Sequence, residues 1–220
     1  MKILVPLKRV ADPDHASKVR VVPGSTHLDA SELSTTTNPF DDYALESALR
    51  LTEDGRNPKA RLGAVVAVTL GSSDSEPILR AALATGADRA LRLEATDEHL
   101  DGRLVANALA ALVQRESPEL VLLGKQTVDG EYGQVPQRLA ELLQWPLATF
   151  VGAIHQQPDE SLHVVREVDG GLERLRLTLP AVIAVDLRVV APAGVRSRQT
   201  PADFKYHDGV RFSPLPDPNG

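Results

Sequence analysis

The sequence predicts an α/β protein with a doubly wound, mostly parallel sheet and helices on both faces. Short apolar runs at residues 3–5, 64–70 and 120–123 are typical of strands that are buried on both faces of a parallel sheet. Helical patterns lie between these runs, so strands and helices alternate along the chain. Because crossovers between parallel strands are right-handed, the intervening helices are expected to cover both faces of the sheet.

Local signals mark where the predicted elements of the first half begin and end. Asn38 or Asp41 can cap the first helix, because short polar side chains accept hydrogen bonds from the free N–H groups of a first turn. Gly86 is a typical C-cap for the second helix, and Ser117-Pro118 ends the third. The predicted strands cover residues 3–5, 64–70 and 90–93, and the predicted helices cover residues 42–52, 76–85 and 104–115.

The second half predicts a small antiparallel hairpin beside the parallel strands. After the strand at residues 120–123 come a polar loop, residues 124–134, and a helix. Residues 162–168 and 172–179 read as two strands with a glycine-containing turn between them, and residues 181–186 form a buried strand that returns to the sheet. The predicted domains are an α/β domain, residues 1–190, and an irregular C-terminal arm rich in proline, glycine and charge, residues 191–220.

Composition and motifs exclude several classes of protein. The formal net charge of −6 and the pI near 5.5 provide no broad basic surface for nucleic acid or an anionic membrane. No apolar run is long enough for membrane insertion. The absence of cysteine, together with a strand directly after Met1, predicts a cytoplasmic location. The six histidines lack metal-ligand spacing, and no catalytic triad or nucleophile elbow is recognisable, so we expect a binding protein without catalytic residues.

The region from Leu120 to Pro146 combines a strand, a loop with three glycines, and a helix. This order of elements binds phosphate in many α/β proteins, because the first turn of a helix has unpaired N–H groups and a partial positive charge. The spacing matches neither the dinucleotide fingerprint nor the P-loop, so an ordinary strand-to-helix loop is equally compatible with it.

Three loops follow the carboxyl ends of predicted strands, at residues 6–9, 70–73 and 124–134, and residues 38–41 can reach the same edge. A nucleotide in such a sheet binds beyond these ends, at the topological switch point. Backbone groups near Pro6 and Leu70 can contact an adenine, whereas Lys125, Gln126 and the N–H groups near Gly133-Gln134 suit a phosphate.

Five segments, in this order, resemble the β subunit of electron-transfer flavoprotein over most of residues 1–190. The most specific is Val165-Arg-Glu-Val-Asp-Gly-Gly-Leu-Glu173, which leads to Leu179-Pro-Ala-Val-Ile183. The others are Val5-Pro-Leu-Lys-Arg-Val10, Asn38-Pro-Phe40, Ala81-Ala-Leu-Ala-Thr-Gly-Ala-Asp-Arg89, and Leu120-Val-Leu-Leu-Gly-Lys-Gln126 with Asp129-Gly130 and Gly133-Gln134.

The resemblance implies an electron-carrier subunit rather than an enzyme. In this family the β subunit forms a heterodimer with an α subunit, which holds most of the contacts to FAD. The β subunit itself carries a structural AMP, replaced by a second FAD in electron-bifurcating members. The heterodimer takes electrons from flavoprotein dehydrogenases and passes them to a membrane quinone reductase or another acceptor.

By resemblance, the residues expected to bind AMP occupy the crevice described above. Pro6 departs from the small residue usual there and lacks an N–H group, so any adenine contact at that point must use its carbonyl. Residues 191–200 also depart from the family's recognition loop, so dehydrogenase docking through that loop is not implied. The expected AMP-binding residues are Pro6, Asn38, Pro39, Phe40, Asp41, Leu70, Gly124, Lys125, Gln126, Thr127, Asp129, Gly130, Gly133, Gln134 and Val135.

Two other classes of protein remain as alternatives at this point. An ATP-using enzyme of the adenine-nucleotide α-hydrolase type would carry a Ser-Gly-Gly-x-Asp-Ser loop after the first strand, where this chain has Lys8-Arg9-Val10. A stress-type nucleotide-binding module that self-associates would leave the hairpin around Asp169-Gly170-Gly171 without a role.

Overall fold

The computed structural model describes residues 1–12, 20–22, 24, 28–29, 33–54, 57–97 and 100–190. Its helices are α1 (Pro39–Thr52), α2 (Glu76–Thr85), α3 (Gly102–Glu116) and α4 (Val135–Leu143). Its strands are β1 (Lys2–Pro6), β2 (Arg9–Ala11), β3 (Arg20–Val21), β4 (Leu28–Asp29), β5 (Thr35–Thr37), β6 (Glu53–Asp54), β7 (Asn57–Arg61), β8 (Ala64–Gly71), β9 (Arg89–Glu94), β10 (Leu120–Gly124), β11 (Leu147–Gln156), β12 (Leu162–Val168), β13 (Gly171–Leu177) and β14 (Ala181–Val185).

Eight strands form the main sheet, in the order β13-β12-β11-β14-β10-β1-β8-β9. Neighbouring strands from β11 to β9 are parallel, and only the pairs β11–β12 and β12–β13 are antiparallel. The chain passes from β1 through α1 to β8 and on to β9, and then returns through α3 to β10 on the other side of β1. The direction of winding therefore reverses between β1 and β10, which leaves a crevice beyond their carboxyl ends.

Side chains along each central strand alternate between two hydrophobic layers, one on each face of the sheet. In β1, Ile3 and Val5 belong to the layer that contains α1 and α2, whereas Leu4 belongs to the layer that contains α3 and α4. All three side chains are fully buried. The predicted α/β fold, with helices on both faces of a mostly parallel sheet, is confirmed.

The predicted helix bounds agree with the structure in part. The second helix has the predicted bounds and ends at Gly86, whose φ of +132° suits glycine. The first helix begins at Pro39, three residues before the predicted start. Asn38 occupies its N-cap position, but the expected side-chain cap was wrong because this side chain bonds to the loop after β10 instead.

The predicted hairpin is present as β12 and β13, with Val168 opposite Gly171 across a two-residue turn. It continues the main sheet at the edge opposite β9. The pairs β2–β5, β3–β4 and β6–β7 form three further two-stranded sheets. The predicted arm, residues 191–220, lies outside the described residues. None of the described helices is long and apolar enough to cross a membrane.

Candidate functional site

A cavity of about 330 Å³ lies beyond the carboxyl ends of β1, β8 and β10, at the crevice where the winding reverses. Its wall includes Pro6 from the end of β1, Leu70 from the end of β8 and Gly124 from the end of β10. The volume falls within the range of about 300–1,000 Å³ that small-molecule sites occupy. The fold therefore provides a preformed site at the position expected for a nucleotide.

One side of the cavity is apolar. Leu109 of α3 and Leu123 of β10 line it and are almost completely buried, and Val105 extends the same surface one turn earlier in α3. Leu7, which directly follows β1, is buried as well. Such a surface favours a flat, weakly polar group such as a nucleobase, because burial removes its apolar area from water.

The amino ends of two helices meet at the same cavity. A Cβ atom on Gly102, the first residue of α3, would lie 3.7 Å from the Cβ of Gln134 and 3.8 Å from a methyl group of Val135, the first residue of α4. Asp101 caps α3 by accepting a hydrogen bond of 2.7 Å from the N–H of Leu104. The carboxylate of Asp101 thus already occupies the amino end of α3, whereas no described side chain caps α4. The partial positive charge at the amino end of α4 therefore favours an anionic group such as a phosphate.

The side chain of Asp41 joins the loops that follow β1 and β10. Its carboxylate accepts hydrogen bonds from the N–H of Lys8 at 2.9 Å and from the N–H of Gly124 at 3.1 Å. The side chain is buried, and this burial raises its pKa to about 7, although the hydrogen bonds from Lys8, Asn38 and Gly124 act in the opposite direction.

This arrangement requires glycine at position 124. A Cβ there would lie 2.5 Å from the Cβ of Phe40 and 2.6 Å from the Oδ1 of Asp41, both closer than real Cβ contacts allow. The close approach lets the first turn of α1 rest directly on the end of β10.

Asn38 fixes the loop between β10 and α4. Its Nδ2 donates to the carbonyl of Gln126 at 3.0 Å, and its Oδ1 accepts from the N–H of Val128 at 3.2 Å. The backbone N–H of Asn38 donates to the carbonyl of Lys8 at 2.8 Å. Asn38 is completely buried, and these hydrogen bonds link the start of α1 to the loop after β1 and to the loop after β10.

Ion pairs surround the mouth of the cavity. Lys8 contacts both carboxylate oxygens of Asp129, at 2.9 and 2.7 Å, and Arg9 contacts Asp97 at 2.6 Å. Burial alone would raise the pKa of Asp129, but hydrogen bonds from Lys8 and Thr127 hold it below its usual value. The mouth is thus lined by charges of both signs that already neutralise each other.

Comparison with known proteins gives the family. The model of the electron transfer flavoprotein domain matches residues 26–203. The chain is 42% identical over 192 residues to the electron transfer flavoprotein subunit beta of Dictyostelium discoideum, which covers 87% of this chain and 73% of that protein.

The chain belongs to the electron transfer flavoprotein family. The mitochondrial subunit beta of Oryza sativa subsp. japonica is 45% identical over 195 residues, and the human subunit beta is 42% identical over 195 residues. These matches cover 87% of this chain and 74% and 73% of the two relatives. The resemblance to β subunits of this family is therefore confirmed, and such subunits carry electrons.

Most of the residues expected to bind the nucleotide come together in the structure. Eleven of them line the cavity: Pro6, Asp41, Leu70, Gly124, Lys125, Gln126, Thr127, Asp129, Gly133, Gln134 and Val135. The other four, Asn38, Pro39, Phe40 and Gly130, are not part of its lining. Asn38 and Phe40 are buried behind it, where they position the loop and the end of β10.

The sequence did not indicate the wall that α3 contributes. Leu100, Gly102, Val105 and Leu109 line the cavity, as does Asp97 just after β9. One signal was present, because Asp101 is a typical N-cap residue just before the predicted third helix. No group of three or more potential metal ligands occurs among the described residues.

Proposed function

We propose that this chain is the β subunit of a heterodimeric electron transfer flavoprotein and that its cavity binds an adenine nucleotide. The nucleotide is AMP in a structural role, or FAD if the protein is of the electron-bifurcating type. The observation that carries this proposal is the meeting of an apolar wall with the uncapped amino end of α4 at the switch point of the sheet. An adenylate has the same combination of a flat base and a charged phosphate.

The residues suit the two ends of such a ligand in different ways. The apolar surface of Leu70, Val105 and Leu109 supports the adenine, and Pro6 offers only its carbonyl because it has no N–H group. The phosphate is served by backbone N–H groups of the first turn of α4, next to Gly133, whose φ of +54° is readily adopted by glycine.

Electron transfer itself requires a partner. A β subunit of this family implies an α subunit, and we propose that the α subunit holds most of the contacts to a shared FAD. The flavin supplies the redox chemistry, whereas this chain contributes binding and electrostatics and has no catalytic residues of its own. Flavoprotein dehydrogenases are the proposed donors, and a quinone reductase or another protein is the proposed acceptor.

Purification of the heterodimer tests the proposal directly. Co-expression with an α subunit of the family is expected to give a yellow complex whose flavin absorption is bleached by a flavoprotein dehydrogenase and its substrate. Denaturation of the complex is expected to release an adenine nucleotide from this chain, which mass spectrometry identifies. A colourless complex that contains no adenine nucleotide would overturn the proposal.

Family membership argues against the two alternatives. An α-hydrolase-type enzyme predicts ATP turnover by the isolated chain, and a stress-type module predicts a stable homodimer. Neither is expected here.

We also propose the predicted cytoplasmic location for this chain, and cell fractionation tests it. Several relatives have "mitochondrial" in their names, and recovery of this chain in an organelle fraction would contradict the prediction.

A further inference from the structure

The strand β13 forms one edge of the main sheet, and no described strand pairs with its outer side. Val168 and Gly171 flank a two-residue turn and form the hydrogen-bonded pair that closes it. Hydrogen-bonded pairs recur at every second residue of an antiparallel ladder, so the backbone N–H and C=O groups of Leu172, Arg174 and Arg176 point away from β12. These groups can pair with a further strand.

The side chains next to this edge are cationic. Arg174 and Arg176 are two residues apart in β13, so their side chains lie on the same face of the sheet, about 7 Å apart along the strand. His163 of β12 lies opposite Arg176, and His155 of β11 lies opposite His163. All four line a groove of about 510 Å³, and its described lining includes no acidic residue. The arginines therefore make this face positive in a chain whose formal net charge is −6.

Little of this positive charge is neutralised by the chain itself. Arg174 is exposed and forms no ion pair with any described residue. Arg176 contacts Asp159, in the turn after β11, at 2.5 Å, but the two side chains are 62% and 54% exposed, so water weakens the pair. Because like charges would face each other, these arginines discourage pairing between two copies of this edge. A strand of opposite charge meets no such obstacle.

We propose that β13 binds an extended, acidic segment of another protein as an additional strand of the main sheet. In this mode of recognition, main-chain hydrogen bonds supply affinity and alternate side chains supply selectivity. Carboxylates at every second position of the added strand lie on one face, opposite Arg174 and Arg176. This inference goes beyond the proposed function, because neither the nucleotide nor the flavin takes part in the contact.

The contact suits a transient partner rather than a permanent subunit. Exposed ion pairs are weak and are screened by salt, whereas permanent interfaces are usually large and apolar. Each cross-strand pair of opposite charge changes the affinity by roughly twofold to fivefold. The edge is accordingly expected to stay accessible in the heterodimer.

The test uses the heterodimer and a fluorescently labelled peptide in which glutamate and threonine alternate. The comparison peptide has the same composition, but its glutamates are grouped at one end. Fluorescence anisotropy at low ionic strength measures both affinities, and we expect the alternating peptide to bind roughly fivefold more tightly. Hydrogen exchange followed by mass spectrometry is expected to show that the alternating peptide slows exchange in residues 171–177.

Variants of the groove are expected to change the affinity for the alternating peptide in opposite directions. Arg174→Gln and Arg176→Gln each weaken binding by roughly twofold to fivefold. Asp159→Asn strengthens it by roughly twofold, because Arg176 then lacks its partner within the chain. Arg80→Gln is the matched control, since it removes the same charge as the arginine variants from an exposed residue of α2 outside the groove, and it leaves the affinity unchanged. Thermal unfolding of each variant complex establishes that it is folded.

Several outcomes would overturn the inference. Equal affinity for the two peptides, or unchanged exchange in residues 171–177, would exclude an added strand. An equal loss in Arg80→Gln would attribute the binding to net charge alone. Release of the peptide by an equal concentration of inorganic phosphate would show a site for small anions instead. Slow exchange of residues 171–177 in the heterodimer before any peptide is added would show that the α subunit covers this edge.

Discussion

Replacement of Gly124 by alanine adds one methyl group where α1 lies closest to the sheet. The added Cβ would lie 2.5 Å from the Cβ of Phe40, 2.6 Å from the Oδ1 of Asp41 and 2.9 Å from the backbone carbonyl carbon of Phe40. Two of these three atoms belong to the rigid first turn of α1 or lie directly on it. The clash is therefore relieved only if the helix moves away from β10.

The expected loss of stability has two parts. Overpacking by one methyl group in a well-packed site costs about 1–3 kcal/mol. Displacement of Asp41 also weakens the hydrogen bond that its carboxylate accepts from the N–H of Gly124, at 3.1 Å, which adds about 1–3 kcal/mol. For a chain of this length each kcal/mol corresponds to about 2–4 °C, so a total of about 4 kcal/mol lowers Tm by about 8–16 °C.

Thermal unfolding followed by circular dichroism measures this effect, with Gly152→Ala as the matched control. A Cβ on Gly152, in β11, would meet its nearest neighbours at 3.9 and 4.0 Å, which is ordinary contact. That variant is expected to stay within about 0.5 kcal/mol of the unaltered chain. If the two variants unfold at the same temperature, the close approach of α1 to β10 is not what requires glycine at position 124.

Two further predictions concern the residues that link the walls of the cavity. Asn38→Ala removes the hydrogen bonds to Gln126 and Val128 and leaves both backbone groups without this partner, so unfolding in urea is expected to show a loss of about 2–4 kcal/mol. Burial raises the pKa of Asp41 from 3.8 to about 7, so between these two pH values the folded chain keeps a proton that the unfolded chain has lost. The free energy of unfolding therefore decreases as pH rises from 3.8 to about 7. That change amounts to about 4 kcal/mol, and Asp41→Asn is expected to remove it. The smaller decrease from Asp42, whose pKa burial raises to about 6, remains in the variant.

Each of these predictions has a simple control on the surface. Asn107→Ala changes an exposed asparagine of α3, and Asp74→Asn changes an exposed aspartate before α2; both are expected to be nearly neutral. A loss in Asn38→Ala no larger than that in Asn107→Ala would show that the buried hydrogen bonds contribute little. If urea unfolding between pH 4 and 8 has the same pH dependence with and without Asp41, its carboxyl group is already ionised at low pH.

Much of the fold could be predicted because the signals are local. The apolar run at residues 120–123 became β10, in which every residue is buried, and the helix at residues 76–85 has the predicted bounds. The strand predicted at residues 162–168 is β12, which has the same bounds and buries Leu162 and Val164 against the core. In each case, neighbours along the chain carry the information, through periodicity or through the special backbone freedom of glycine.

The details of the site depend on residues that are distant in sequence. Asn38 has the features of an N-cap, but its side chain bonds to a loop 88 residues later, which no local pattern reveals. The wall formed by Val105 and Leu109 also escaped prediction, since a helical pattern shows that a face is apolar but not what it faces. Gly124 was predicted at the start of the loop, whereas the structure places it in β10, where its missing side chain admits α1.

The lining of the cavity begins at Pro6 and extends to Pro136, so its wall is gathered from stretches spread over more than half of the chain. No short fragment contains enough of this wall to hold a small molecule, and any ligand of the cavity is consequently a ligand of the completed fold alone. At a hundred times its dissociation constant, such a molecule adds about 2.7 kcal/mol to the free energy of unfolding. An occupant that takes no part in electron flow would thus still govern how long each copy of this chain survives in the cell.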